Sequence, residues 1–272
     1  MTNIKNRIAH ILPQKVKDII KPFYQKMHQI FVRPVPEKPL ADKPSMLAIG
    51  FFDGFELAYR KKTADERVIA HSFNHDIFFT GAPEYQPAED HVILDIGAHI
   101  GTFSLLASSK VGRGRVYAIE ASEDSFNYLR INIALNRCAN ISAHHLALAD
   151  KKGTITLHHD VGNWGHSVVK AFSDLGETVE SSTLSDFLDK NRIDKCHFMK
   201  LNCEGAEFPI LLSTPGNVLQ RFGTILVLYH CDLWFSNTEA DLIHHLKSAG
   251  FNSIIRNRSE KRGWIIATNT AS

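Results

Sequence analysis

Two acids and two glycines in this chain are spaced as a nucleotide site needs them. The apolar run Val92-Ile93-Leu94 ends in Asp95, and Gly97 and Gly101 follow, four apart. Thr102 to Ser109 then reads as a helix. A strand, a tight glycine turn and a helix N-terminus open the nucleotide-binding half of a doubly wound α/β fold. A second acid, Glu120, ends the next apolar strand, Val116 to Ile119, and lies 19 residues after Gly101. At that distance a carboxylate can accept both hydroxyls of a ribose.

The turn itself decides which nucleotide fits. A pyrophosphate wants G-x-G-x-x-G, so that backbone amides crowd the phosphates. Here the order is Asp95-x-Gly97-x-x-x-Gly101, with no middle glycine. Asp95 would repel a pyrophosphate and suits a ligand that carries an ammonium and a sulfonium. S-adenosylmethionine carries both.

The elements that must position these groups alternate regularly from residue 91. Strand 92–96 leads to helix 101–109, strand 115–119 to helix 123–136, and strand 141–145 to Leu146-Ala147-Leu148-Ala149-Asp150 and strand 154–158. Helix 182–190 precedes strand 196–201 and helix 206–213. Strand 223–229 is the most apolar of the set, helix 238–249 stops at Gly250, and strands near 251–256 and 263–268 should form an antiparallel hairpin. Ahead of this body, Phe51 to Tyr59 reads as a hairpin around Asp53-Gly54, and Thr63 starts a short helix. The expected organisation is a basic helical arm and Pro-rich linker over 1–45, a cap of short strands and helix over 46–90 beside the cofactor mouth, and a nucleotide-binding domain over 91–272.

Composition narrows the classes. An apolar content of 44% is ordinary for a globular protein. No stretch approaches the roughly 20 apolar residues of a membrane span, and Met1 to Arg7 lacks the apolar core of a secretion signal. Cys138, Cys196, Cys203 and Cys231 are scattered and read as thiols of a reducing compartment. These features point to the cytoplasm. The net charge of +2 is uneven: residues 1–44 hold nine Lys/Arg against three Asp/Glu, leaving 22 against 26 in the rest. Ile4, Ile8, Ile11 and Leu12 share one face, as do Val16, Ile19, Ile20 and Phe23, with lysines on the other sides. Such an arm over 1–33 suits either an anionic membrane surface or packing against the body or a second subunit. The basic residues form no aromatic-interleaved stripe, so no nucleic-acid partner is expected. His144-His145, His158-His159 and His244-His245 are doublets that point to opposite faces of an extended chain, so no metal site is expected from them.

With the later strands a family becomes visible. Lys200-Leu201-Asn202-Cys203-Glu204-Gly205-Ala206-Glu207 resembles the K-I-D-x-E-G-A-E block of the FkbM-type methyltransferases. Asp95 to Gly101 is similar to that family's D-x-G-A-x-x-G, and Val116 to Glu120 to its V-x-A-F-E. Leu146 to Asp150 resembles its A-L-G-D, Gly153 to Thr156 its G-x-I-x, and Thr183 to Leu188 its T-L-D-D-F-L. The blocks run in order from about residue 91 to 230. Asn202 stands where the family usually has Asp, and Ser185 replaces the first Asp of its block.

The resemblance implies a Rossmann-like class I methyltransferase sheet, mostly parallel with one antiparallel strand near the C-terminus. It implies S-adenosylmethionine as donor and a hydroxyl as acceptor, here a sugar or glycan precursor. Gly97, Ala98, Gly101 and Thr102 would approach the methionine part of the cofactor, and Asp95 would balance its charge. Glu120 and Ala121 would hold the ribose, and Leu148, Ala149 and Asp150 the adenine. Asn202 and Glu204 would stand near the sulfonium, at the carboxyl ends of the strands. A sugar hydroxyl must lose its proton, for which His230 is the first candidate base and Glu204 the second. Trp164, His166 and Ser167 form the expected substrate lip. Asn202 can only hydrogen-bond where an Asp could steer a proton, which keeps a non-catalytic cofactor-binding member as an alternative. A nicotinamide-dependent oxidoreductase is a second, opposed by Asp95 and the missing glycine.

Overall fold

The computed structural model describes residues 47–159, 166–170 and 176–271. The arm and linker expected over 1–45, and Trp164, lie outside the described residues. The described chain opens on a hairpin. β1 (Leu47–Phe52) and β2 (Phe55–Arg60) pair antiparallel around Asp53 and Gly54. Both turn residues have positive φ, 45° and 87°, as a two-residue primed turn requires. Helix α1 (Ala64–Ile69) is capped by the Thr63 hydroxyl, which accepts from the Asp65 amide, and runs on into a π-helical turn over Ala70–Asn74. Helix α2 (Ile77–Gly81) has no counterpart in the sequence reading. Five residues are too few for a 3.6-residue period, and its signal is only the Asp76 carboxylate accepting from the Phe79 amide.

The body then alternates as expected: β3 (Val92–Ile96), α3 (Thr102–Val111), β4 (Arg115–Glu120), α4 (Glu123–Leu135) and β5 (Ile141–His145). Next come the short β6 (Ala147–Leu148), β7 (Gly153–His158) and β8 (Gly176–Ser182). Helix α5 (Leu184–Lys190) is followed by β9 (Cys196–Leu201), α6 (Glu207–Ser213), α7 (Gly216–Leu219) and β10 (Phe222–His230). Helix α8 (Glu239–Ser248) and the hairpin β11 (Phe251–Arg256) and β12 (Arg262–Asn269) complete it. The sequence reading lacks β8. Its residues GETVESS are polar, only Val179 and Ser181 are buried, and it is held by full antiparallel pairing with β7 and a short parallel pairing with β6.

Seven strands form the main sheet in the order β11-β12-β10-β9-β3-β4-β5. β12 runs antiparallel to both neighbours, and the pairs from β10 to β5 are parallel. The expected sheet with one reversed strand is therefore present. A parallel strand covered on both faces reads as a continuous apolar run, which is why β10 is almost wholly buried. Alternate residues of β3 feed opposite cores. Ile93 joins Phe103, Phe198 and Leu129 on one face, while Leu94 and Ile96 join Met199, Leu201 and Phe208 on the other. Chain order reverses between β3 and β9, and in open α/β sheets ligands bind outside the carboxyl ends of the strands at such a switch point.

Candidate active site

Two turns meet at that point. After β3 the chain takes left-handed backbone at Gly97, His99 and Gly101, with φ of 75°, 53° and 88°. After β9 it does so at Glu204 and Gly205, with φ of 48° and 102°. The turns touch. A Cβ on Gly97 would stand 1.9 Å from the Asn202 carbonyl oxygen, so only glycine fits there. The Asn202 amide donates to the Ile96 carbonyl at 3.1 Å.

Behind the turns lies a buried ion pair. Lys200 Nζ is 2.7 Å from Asp95 Oδ1 and also donates to the Gly97 carbonyl at 2.9 Å. Ser104 Oγ donates to the other Asp95 oxygen. Asp95 therefore meets its positive charge inside the protein and does not face the cavity. The expected role of Asp95 as counter-charge to the cofactor is corrected by Lys200, which lies one strand away.

Glu120 stands at the end of β4. Its two carboxylate oxygens accept from the His99 amide at 2.7 Å and the Ser122 amide at 2.9 Å. Burial raises its pKa against those two bonds.

His230 ends β10 and is 6% exposed. Its Nδ1 is 3.1 Å from Glu207 Oε1, and its Nε2 is 3.6 Å from Glu204 Oε2. Glu207 is fully buried and fixed from behind by the Cys203 amide at 2.6 Å and the Gly205 amide at 2.8 Å. As an ionised carboxylate can only accept, Nδ1 carries the proton toward Glu207 and Nε2 is the nitrogen left for chemistry. Burial opposes charge on the ring, but Glu207 and then Glu204 outweigh it and hold the His230 pKa above its ordinary value. Glu204 is also raised, first by burial and then by Glu207, while His230 and Arg262 pull it down.

Glu120, Lys200, Asn202, Glu204 and His230 line one cavity of about 310 Å³. Of the residues expected at the site, the cavity gathers Gly97, Ala98, Thr102, Glu120, Ala121, Leu148, His166, Asn202, Glu204 and His230. Besides Asp95, four others stand elsewhere. Gly101 packs on Leu129, where a Cβ would meet Cδ1 at 2.5 Å. Ala149 turns inward, its amide bonded to the Ser182 carbonyl at 2.9 Å, and Asp150 is exposed outside the cavity. Ser167 is buried and positions Glu204 instead, its hydroxyl donating to the Glu204 carbonyl at 2.7 Å.

Sequence reasoning missed several lining residues. Arg67, His71 and Phe78 come from the α1–α2 region, and Arg262 and Trp264 from β12. Nothing in their local spacing marks them; the fold brings them in. It also missed Glu207, although Glu207 sits inside the block quoted above, because only the cross-sheet neighbour His230 gives that carboxylate its task.

The residues present fit a cofactor with a ribose and an amino-acid end. Glu120 offers a buried carboxylate, the Gly97 turn allows backbone approach, and His99 Nδ1 and Asn202 Oδ1 are buried polar atoms without a partner. The strand order, the single reversed strand and a cavity at the switch point define a class I methyltransferase fold. The chain belongs to the family described as "Methyltransferase FkbM domain", which matches residues 95–253. Methyl transfer is the activity class of that family, and S-adenosylmethionine is the cofactor of that class. "Methyltransferase 1" of Beauveria bassiana (strain ARSEF 2860) is 24% identical, over 45% of this chain and 58% of its own length. The chain thus spans less than two thirds of that curated relative. Among solved structures, methyltransferase FkbM of Methylobacillus flagellatus KT is 14% identical with a TM-score of 0.47, over 76% of this chain and 56% of that one. The precorrin-6y C5,15-methyltransferase of Geobacter metallireducens GS-15 is 16% identical with a TM-score of 0.45, over 72% and 88%. Among the described residues no helix is long and apolar enough to cross a membrane.

Proposed function

We propose that this chain is an S-adenosylmethionine-dependent O-methyltransferase and that its acceptor is a hydroxyl of a sugar or glycan precursor. The observation that carries the reading is the file of Glu207, His230 and Glu204, of which His230 and Glu204 line the cavity, with Nε2 of His230 3.6 Å from Glu204. When bound, S-adenosylmethionine supplies an activated methyl group. The turn at Gly97 and Ala98 and the carboxylate of Glu120 hold it, with Leu148 and Ala121 along its apolar part. His230 Nε2 takes the proton of the acceptor hydroxyl. Glu207 keeps the ring in the tautomer that leaves Nε2 open and stabilises the imidazolium that forms. Glu204 orients the acceptor beside it. Because the donor is already activated, alignment supplies much of the rate, and the base adds roughly 10²–10⁴-fold. A sugar is favoured by the nearly parallel rings of Trp264 and Phe78, centroids 6.4 Å apart, which offer aromatic surface to a sugar's apolar face beside polar groups for its hydroxyls.

The test is an acceptor screen with sugar nucleotides and glycans, with product mass spectra locating the added methyl. The expected result is transfer to oxygen, with turnover of His230→Ala lowered by about 10²–10⁴-fold and its affinity for S-adenosylhomocysteine nearly unchanged. Transfer to nitrogen or carbon, or full turnover by His230→Ala, would overturn the reading.

A further inference from the structure

One wall of the cavity is built by the cap. Ala64, Arg67, Val68 and His71 all line it, and residues three and four apart share one face of a helix. Two neighbours on the inner side hold that face in place. Asp65 is fully buried, and its Oδ2 accepts from the Arg60 amide at 2.7 Å. Ser72 is buried, and its hydroxyl donates to Thr102 Oγ1 at 2.8 Å. The backbone that carries Arg67 and His71 is thus anchored before and after them, with Arg67 exposed and His71 half-buried.

The other polar wall comes from the sheet: Glu204 after β9, His230 at the end of β10 and Arg262 at the start of β12. The two walls feel each other. Burial raises the Glu204 pKa, and His230, Arg262 and Arg67 pull it back down. Arg67 also acts along its own helix, where burial first and then this guanidinium lower the His71 pKa.

Charge is therefore divided across the cavity. On the sheet side Lys200 is matched by Asp95, and Arg262 by the fork of Nε and Nη2 on Asp232. Glu204 brings a carboxylate to that side, and Arg67 brings its cation to the cap side. A neutral sugar gains little from such a division. An anionic one is repelled from Glu204 and drawn to Arg67, so complementarity fixes which end of it points where. A guanidinium offers a planar fork to a carboxylate or a phosphate, and the His71 ring adds an N–H.

We propose that the acceptor carries an anionic group, a carboxylate or a phosphate, which Arg67 and His71 receive while its hydroxyl lies at His230 and Glu204. The assignment rests on the O-methyltransferase reading above and narrows its acceptor to acidic or phosphorylated sugars. The cap then selects the acceptor, and the sheet carries the chemistry.

The test is calorimetric and uses the full chain saturated with S-adenosylhomocysteine. Wild type and Arg67→Gln are titrated with glucuronic acid, glucose 1-phosphate and glucose. In wild type at least one of the two anionic sugars should bind about 10- to 100-fold more tightly than glucose, and the tighter of the two tells carboxylate from phosphate. Arg67→Gln should abolish that advantage while its affinity for S-adenosylhomocysteine stays within about twofold of wild type, because a charged hydrogen bond to the acceptor alone is removed. His71→Gln should reduce the advantage in the same direction. Equal affinity for all three sugars, binding of none of them, or an advantage that survives in Arg67→Gln would overturn the assignment. A wild-type chain that fails to bind S-adenosylhomocysteine would overturn the S-adenosylmethionine reading itself, and with it this assignment.

Discussion

Lys200 Nζ and Asp95 Oδ1 lie 2.7 Å apart on neighbouring strands, and both are buried. The pair closes the centre of the sheet just below the glycine turn, and the same ammonium tethers the turn through the Gly97 carbonyl. The lysine stem lies near Phe78 and Phe103, with Nζ 5.5 Å and 5.7 Å from the ring centres. A charge so enclosed depends on its partner.

Lys200→Met should therefore cost stability, since it leaves the buried Asp95 without its counter-charge. Removing one member of a buried pair costs about 3–5 kcal/mol. Urea denaturation should show that loss, and a midpoint equal to wild type would contradict the pairing described here.

A similar argument applies to Arg60, which is 1% exposed and holds Asp65, Asp124 and Ser125 in one cluster. Arg60→Leu strands the fully buried Asp65 and should cost about 3–5 kcal/mol. The double variant Arg60→Leu, Asp65→Leu removes both charges and should be more stable than the single one. A double variant weaker than the single would mean that the cluster is held by something other than its charges.

Gly97→Ala should destroy cofactor binding with the fold retained. The added Cβ stands 1.9 Å from the Asn202 carbonyl at a left-handed φ of 75°, so the two turns must separate. Calorimetry with S-adenosylhomocysteine should show a loss of at least about tenfold, on the order of 1.4 kcal/mol. Circular dichroism should remain near wild type. Unchanged binding would contradict the contact between the turns.

His230 acts only as the neutral ring, and Glu207 and Glu204 hold its pKa up against burial. Activity should rise with pH, with an acid limb above the ordinary histidine value of about 6.5. Glu207→Gln removes the larger of the two favourable charges, so the limb should move to lower pH while turnover at its plateau falls by about 10²-fold as ring orientation is lost. A pH–rate profile for both proteins checks this. A limb that stays in place in Glu207→Gln would show that some other group titrates.

Much of this architecture is legible in the sequence, because apolar strands end in marked residues. Asp95, Glu120, Asn202 and His230 lie at or next to the ends of β3, β4, β9 and β10, and a parallel sheet aligns its carboxyl ends, so strand order alone predicts one rim. The contents of that rim are less legible. Asp95 reads as a ligand group from its position at the turn, yet the register of β3 with β9 sets it opposite Lys200. Ser167 reads as part of a polar lip, yet a pairing with His158 buries it. Arg262 and Trp264 enter the site because β12 is threaded in reverse beside β10, in register with His230 and Leu228. These outcomes depend on which strands become neighbours, which local spacing does not encode.

The most direct test of the central claim is a calorimetric titration of the purified chain with S-adenosylhomocysteine, with NAD in parallel. Micromolar binding of S-adenosylhomocysteine and no heat from NAD is the expected result. Binding of NAD, or silence from S-adenosylhomocysteine, would contradict the account.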